Sequence, residues 1–479
     1  MPDPHLQKKE DPSMLTPFEE VMSIRALDPP EPEEVEIVGS EPVLSTKFRI
    51  GTTAAAVLAG IGVAANDLWE MKTGRRQKAK VSIRHTAAAL RSSNYLQRSN
   101  VEGGWENCVN RSHEDMIAIT QPWPTKDGRW FLPHFGLPHL QSRVLNLLGA
   151  QPNPESVAAA VLRHDAMELE QAIDEIRACG GMVRSNEEWL ATEHGQVLAA
   201  KPIVEIIKIG DSDPEPLPQG PRPLSGIRAL DLTRILAGPI SARTLAEHGA
   251  DVLMVTAPHL PQIPEHVIDT SHGKRSCFLD LRNVADAEKL KSLARETDVF
   301  TQGYRPGILA SHGFAPEDLA TIRPGIIYVS ISCFGADGPF SHRAGWEQVA
   351  QTVTGIAQEG SPERPKLLPA AANDYTTGYL AAYGVLLALA RRARDGGSYH
   401  VRVSLCQSGM FIYRQGSVKF TEPNYDFPTS ELDNYRMESV TAAGPIRHLA
   451  PVLQMSETQP HWERPTPTLG GNSPEWLPR

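Results

Sequence analysis

At 479 residues, with 41% hydrophobic and 22% charged side chains, the chain has length enough for two domains that each bury a core. Its 57 acidic residues against 47 basic ones exclude a broad nucleic-acid or anionic-membrane surface and leave room for a local basic pocket. Five cysteines, at 108, 179, 277, 333 and 406, stand far apart without metal-clip spacing, so neither a disulfide framework nor a cysteine metal site is expected and the compartment reads as cytoplasmic.

Residues 1–40 contain many prolines and the acidic run DPPEPEEVE without a sustained period, and are expected to form a disordered tail. Their first thirteen residues have no apolar core, so no secretory signal is expected. Residues 52–65 are an Ala/Gly-rich apolar stretch of fourteen residues. That falls short of the ~20 needed to cross a bilayer and suggests a tightly packed helix, with no membrane partner. Within a first block over 41–209, the run 165–181 places Met167, Leu169, Ala172, Ile173 and Ile176 on one helical face and ends at Gly180-Gly181, a glycine stop. Asn186 is a candidate cap for the helix that follows. Residues 210–225, rich in proline and glycine, mark a linker.

The second block, 226–418, alternates short apolar runs (227–232, 252–255, 298–301, 326–331) with helical stretches (238–248, 287–295). Strands separated by helices need crossovers, which predicts a mainly parallel, doubly wound α/β sheet of Rossmann-like type beside a smaller α+β domain. The tail 419–479 is Pro/Ser/Thr-rich, with little regular structure expected. An ungapped repeat links the blocks. Residues 53–83 match 375–405 at a constant offset of 322, with seven identities including Gly62/Gly384, Gly74/Gly396 and Val81/Val403. This offset sets Thr52 opposite Asp374, and a threonine cannot supply an ionised carboxylate.

Asp374 opens the apolar run NDYTTGYLAAYGVLLALARR, where an aspartate either caps a helix or, ionised at the helix N-terminus, attacks a carbonyl carbon. Gly378, one turn on, would let a neighbouring segment approach. The turn carrying Ala237, Gly238 and Pro239 follows a strand and opens a helix, so its N–H groups could meet a phosphate or a thioester arm. The loop 332–339, with Gly335 and Gly338, leaves a strand end where open sheets bind ligands. Lys274, Arg275, Arg305 and Arg343 are candidate anion partners. Cys333 reads as a buried small residue, and no histidine pair has metal spacing.

The strings LDLTRILAGPISARTLAEHGADVL, HGKRSCFLDLR, TDVFTQGYRPGILASHGF, RPGIIYVSISCFGADGPFSHRAGWEQVAQ and ANDYTTGYLAAYGVLLALARRARDGGSYHVRVSL run in order over about 225–406. Together they resemble the class III coenzyme A transferases, often called CaiB/BaiF. Residues 126–207 resemble that family's smaller domain, here placed before the large one, as in a permuted gene or a fused pair of copies. The resemblance implies Asp374 as nucleophile, passing through a mixed anhydride and an aspartyl-CoA thioester. It implies a pocket shaped by Gly238, Gly335, Gly338 and Trp346, with Tyr304 and Arg305 among the coenzyme A contacts. The expected partners are an acyl-CoA and a carboxylic acid, with no permanently bound cofactor, and a homodimer. Val255-Thr-Ala-Pro258 lacks the arginine that such proteins often carry there. An α-methylacyl-CoA racemase would need a histidine where Trp346 stands. A non-catalytic acyl-CoA-binding protein is the third reading.

Overall fold

The computed structural model describes residues 15–108, 111–361, 363–419 and 427–478. The second block forms a seven-stranded sheet. Six of its strands are parallel: Arg228–Asp231, Asp251–Thr256, Arg275–Phe278, Val299–Gln302, Ile327–Ser332 and Ser398–Ser404. Numbered one to six along the chain, they lie in the order 3-2-1-4-5-6, so strands leaving Arg228–Asp231 in opposite directions open a crevice between its C-terminal end and that of Val299–Gln302. Near-continuous burial of Val252, Leu253, Val299, Phe300, Ile327 and Val329 explains why these runs are apolar on both faces.

The seventh strand is Glu205–Gly210, antiparallel to Ser398–Ser404. Residues at the end of the first block therefore complete the sheet of the second, and only 211–225 remain as the connection. The smaller domain has a three-stranded antiparallel sheet, Trp123–Pro124, Trp130–His134 and Cys179–Met182, surrounded by short helices. Gly180-Gly181 lie inside the last of these strands. The preceding helix stops at Glu175, and the glycines let Phe131 and Val353 pack where Cβ atoms would stand. Asn186 is the first helical residue; the cap is Ser185, which forms a capping box with Glu188.

Two helices of 24 residues, Ile50–Thr73 and Ala372–Asp395, pack against each other at the centre. Their bounds differ by the 322-residue offset of the repeat, and the residues before them share one conformation, Arg49 at φ −80, ψ 53 and Ala371 at φ −82, ψ 55. The first runs well beyond the apolar stretch 52–65, because Asn66, Asp67 and Glu70 are accommodated by Gln77, Glu34, Arg25 and Arg76. It is long and apolar enough to cross a membrane, yet 94% of its apolar window is buried inside the protein.

Both ends of the chain carry more structure than their composition suggests. Pro17–Arg25 is a helix with a Thr16/Glu19 capping box, and Val35–Val38 pairs with Ala79–Ser82. Near the other end Arg436–Thr441 and Gly444–Leu449 form a hairpin, and Gln454–Met455 pairs with Ala79–Ser82. The long coil after it is fixed by side chains: Trp462 donates to the Arg243 carbonyl, and Trp476 to that of Leu293. Residues 1–14 and 420–426 lie outside the described residues.

Candidate active site

A cavity of about 420 Å3 opens at the strand-order reversal, between the sheet block and the smaller domain. Asp374 lies at its base, in the first turn of Ala372–Asp395. Its side chain does not cap this helix. The N–H groups of Asn373 and Asp374 are taken instead by the buried Glu347 carboxylate, at 3.1 and 2.5 Å, and Gln351 donates to the same group at 2.6 Å. The Asp374 carboxylate is thus left for the cavity, and the nearby Ala237 N–H lowers its pKa against the effects of burial.

Burial raises the Asp374 carboxyl well above the usual carboxylate range, and the neighbouring Glu347 charge raises it further. Burial likewise pushes Glu347 up to about 7, against the hydrogen bonds that favour its ionised form. Each carboxyl therefore favours its protonated form more than a solvated carboxyl does.

The opposing wall is the turn 233–239. Thr233 donates its N–H and its hydroxyl to Asp231 Oδ1, and Lys274, salt-bridged to Asp231 Oδ2 at 2.8 Å, holds the Pro239 carbonyl at 2.9 Å. A Cβ on Gly238 would meet Thr233 at 2.3 Å, so only glycine closes this turn. The turn delivers the N-terminus of helix Ala237–Glu247, which crosses Ala372–Asp395 at Gly378. A Cβ on Gly378 would lie 2.5 Å from the Ala237 carbonyl oxygen and 2.8 Å from the Ile240 side chain.

Of the residues singled out in the sequence, Asp374, Ala237, Gly238, Tyr304, Arg305, Cys333, Arg343 and Trp346 line the cavity. The rest do not. Lys274 is fully buried on Asp231, and Pro239 contributes only its carbonyl to that lysine. Arg275 grips Asp251 with two nitrogens and the Glu475 carbonyl with a third, so it has no donor directed at a ligand here. Gly335 and Gly338 face Leu198 and His194, where they admit the smaller domain. Arg343 lines the cavity but is paired with Glu170 and Asp174. Cys333 is held as a thiol by burial.

Sequence reasoning missed Glu347, which adjoins Trp346 in RAGWEQ but shows its role only through partners 26 and 27 residues further on. It also missed His139, Leu137, Leu140 and Cys179, brought to the cavity by the smaller domain. Burial lowers the His139 pKa, and Arg143, Arg234 and Arg305 lower it further. Arg305 donates to the Arg177 carbonyl at 2.8 Å, and Arg234 lies over the Tyr304 ring and donates to the Pro261 carbonyl at 3.2 Å. The rim is therefore electropositive above an apolar interior.

An open α/β sheet carries a cavity at its reversal point, lined by a buried carboxylate, with cationic side chains at its rim. The chain belongs to CoA-transferase family III, whose model matches residues 36–214 and 224–436. An acetyl-coenzyme A transferase of Hypoxylon pulicicidum is 35% identical over 323 residues, covering 62% of this chain and 54% of that protein. An acyl-CoA transferase of Gibberella moniliformis is 34% identical over 353 residues, covering 66% and 62%. The chain thus spans little more than half the length of these curated relatives. Among solved structures, a CAIB/BAIF family protein from Brucella suis matches at 31% identity over 40% of this chain and 55% of that one, with a TM-score of 0.37.

Proposed function

We propose that the chain is a CoA-transferase that moves coenzyme A from an acyl-CoA donor to an organic acid, with Asp374 as the covalent carrier. The observation that carries this reading is the Asp374 carboxylate itself: it is released from helix capping by Glu347, lies near the Ala237 N–H and lines the cavity. The strand order 3-2-1-4-5-6 also supports the Rossmann-like reading of the sheet.

In the first step the ionised form of Asp374 attacks the thioester carbonyl carbon. The C–S bond breaks, the thiolate leaves, and an acyl-aspartyl anhydride forms. The thiolate then attacks the Asp374 carbonyl, releasing the donor acid and leaving an aspartyl-CoA thioester. The acceptor carboxylate and the returning thiolate repeat the two steps in reverse and restore Asp374. Every bond change lies among donor, Asp374, coenzyme A and acceptor, so no bound cofactor enters. The Ala237 N–H at the helix N-terminus stabilises negative charge on oxygen beside Asp374. Burial protects the anhydride from water. Arg234 and Arg305 on the rim touch carbonyls and an aromatic ring, and they suit the coenzyme A phosphates.

Incubation with acetyl- or succinyl-CoA, followed by intact-mass analysis and hydroxylamine trapping, tests the reading. A hydroxylamine-sensitive adduct on Asp374 that is absent from Asp374→Asn supports it; coenzyme A binding without any adduct across a donor panel overturns it. One observation favours a second reading. His139 is held neutral on the cavity wall, as a base for an α-proton must be. Deuterium entering the α-carbon of a branched acyl-CoA without an acceptor acid would select racemisation.

A further inference from the structure

Among the described residues three that are not glycine have positive φ, and Ile235 is the β-branched one, at φ +77. A β-branched side chain in this region is strained and persists only where its surroundings over-determine the backbone. Here they do. The turn is anchored before Ile235 by Thr233 on Asp231 and after it by Lys274 on the Pro239 carbonyl.

The left-handed turn puts the Ile235 side chain against Leu137, Leu140 and Cys179 of the smaller domain, a cluster that Trp346 also packs on. All five line the cavity that holds Asp374. The conformation costly to isoleucine is therefore the one that closes the apolar side of the site, between the sheet block and the smaller domain. Glycine, the residue suited to this φ, would leave that side open.

We infer that Ile235 is the specificity-determining residue of the cavity: its strained side chain caps the apolar space beside Asp374 and restricts the acyl group to a short chain. This rests on the transferase reading for its substrate, an acyl thioester, but not for its geometry. Ile235 touches the acyl arm and moves no proton.

The test compares acetyl-CoA with hexanoyl-CoA as donors, and the thioether analogues of both as ligands, for the wild type, Ile235→Ala and Ile235→Gly. Expected is a rise of tenfold or more in the hexanoyl-to-acetyl ratio of kcat/KM, with a parallel change in the ratio of analogue Kd values, in both variants. Relief of strain should also make Ile235→Gly melt no lower than Ile235→Ala. Folded variants with unchanged chain-length ratios overturn the inference, as does a glycine variant that melts below the alanine one. If the wild type binds the analogues but transfers nothing, the transferase reading fails alone, and the Kd ratios still decide the role of Ile235.

Discussion

The helices Ile50–Thr73 and Ala372–Asp395 are the same device built twice, and only one of them carries a carboxylate, Asp374, where the other has Thr52. In the second, buried Glu347 accepts the N–H groups of Asn373 and Asp374. In the first, Glu41 accepts those of Gly51 and Thr52, the equivalent pair, at 2.7 and 3.1 Å. Both glutamates are pushed above their ordinary range by burial. Capping by a buried glutamate is thus a structural property of both helices, separable from the nucleophile. What differs is the ground opposite. Strand Ile327–Ser332 has Val299–Gln302 on its far side, whereas Val35–Val38 ends its three-stranded sheet. The sheet strand Arg228–Asp231 leads into the turn that brings the Ala237 N–H near Asp374, where it lowers the carboxyl pKa. Position 378 is glycine, where a helix crosses; its counterpart is Ala56.

The largest expected effect breaks this asymmetry outright. Asp374→Asn should abolish the hydroxylamine-sensitive adduct and lower transfer by roughly 10³-fold or more, since a neutral amide is no nucleophile. Adding Thr52→Asp should not restore it, because the first helix gives a carboxylate but no opposing N–H turn. One adduct per chain by intact mass, in the wild type and in Thr52→Asp alike, is the outcome expected; two in the latter would show a second competent site.

Next comes the crossing. Gly378→Ala puts a Cβ into the Ala237 carbonyl and Ile240, so helix Ala237–Glu247 must shift. A loss of about 1–3 kcal/mol in denaturant unfolding is expected from such overpacking, together with a drop in transfer as the Ala237 N–H leaves Asp374. Ala56→Gly, its counterpart, should cost about 1 kcal/mol through helix propensity, with the loss of one buried methyl added, and leave transfer unchanged.

Much of this comparison could be read in the sequence, because it depends on local order. The repeat, the parallel block and the position of Asp374 all follow from contiguous runs with a clear period. What escaped depends on pairing across distance. Gln454–Met455 is only two residues long and becomes a strand because Ala79–Ser82 lies beside it. Pro17–Arg25 carried a capping box in plain sight, but the prolines and acids around it read as disorder. His139, Leu140 and Cys179 reach the cavity through the smaller domain, and no motif near Asp374 points to them. Lys274 shows the reverse failure. A lysine beside an arginine suggested an anion site, yet its charge is spent inside the protein on Asp231.

The subtlest expected effect separates the two glutamates by pH. Glu347 ionises only near 7, and Asp374 is raised in part by its charge. A carboxyl with a raised folded pKa holds a proton that the unfolded chain releases, so it costs stability as pH climbs from about 4.5 to about 7, and no more beyond. Glu347→Gln keeps an acceptor oxygen for one of the two N–H groups and removes the like charge. It should therefore move the acidic limb of the pH–rate profile to lower pH, because Asp374 then ionises more easily, and flatten the fall in stability over that interval. Glu41→Gln should flatten stability likewise, its carboxyl being raised by burial, and leave the pH–rate profile where it was. If both variants moved the rate profile equally, the two helices would be coupled through their packed faces, and the division between a structural and a chemical copy would not hold.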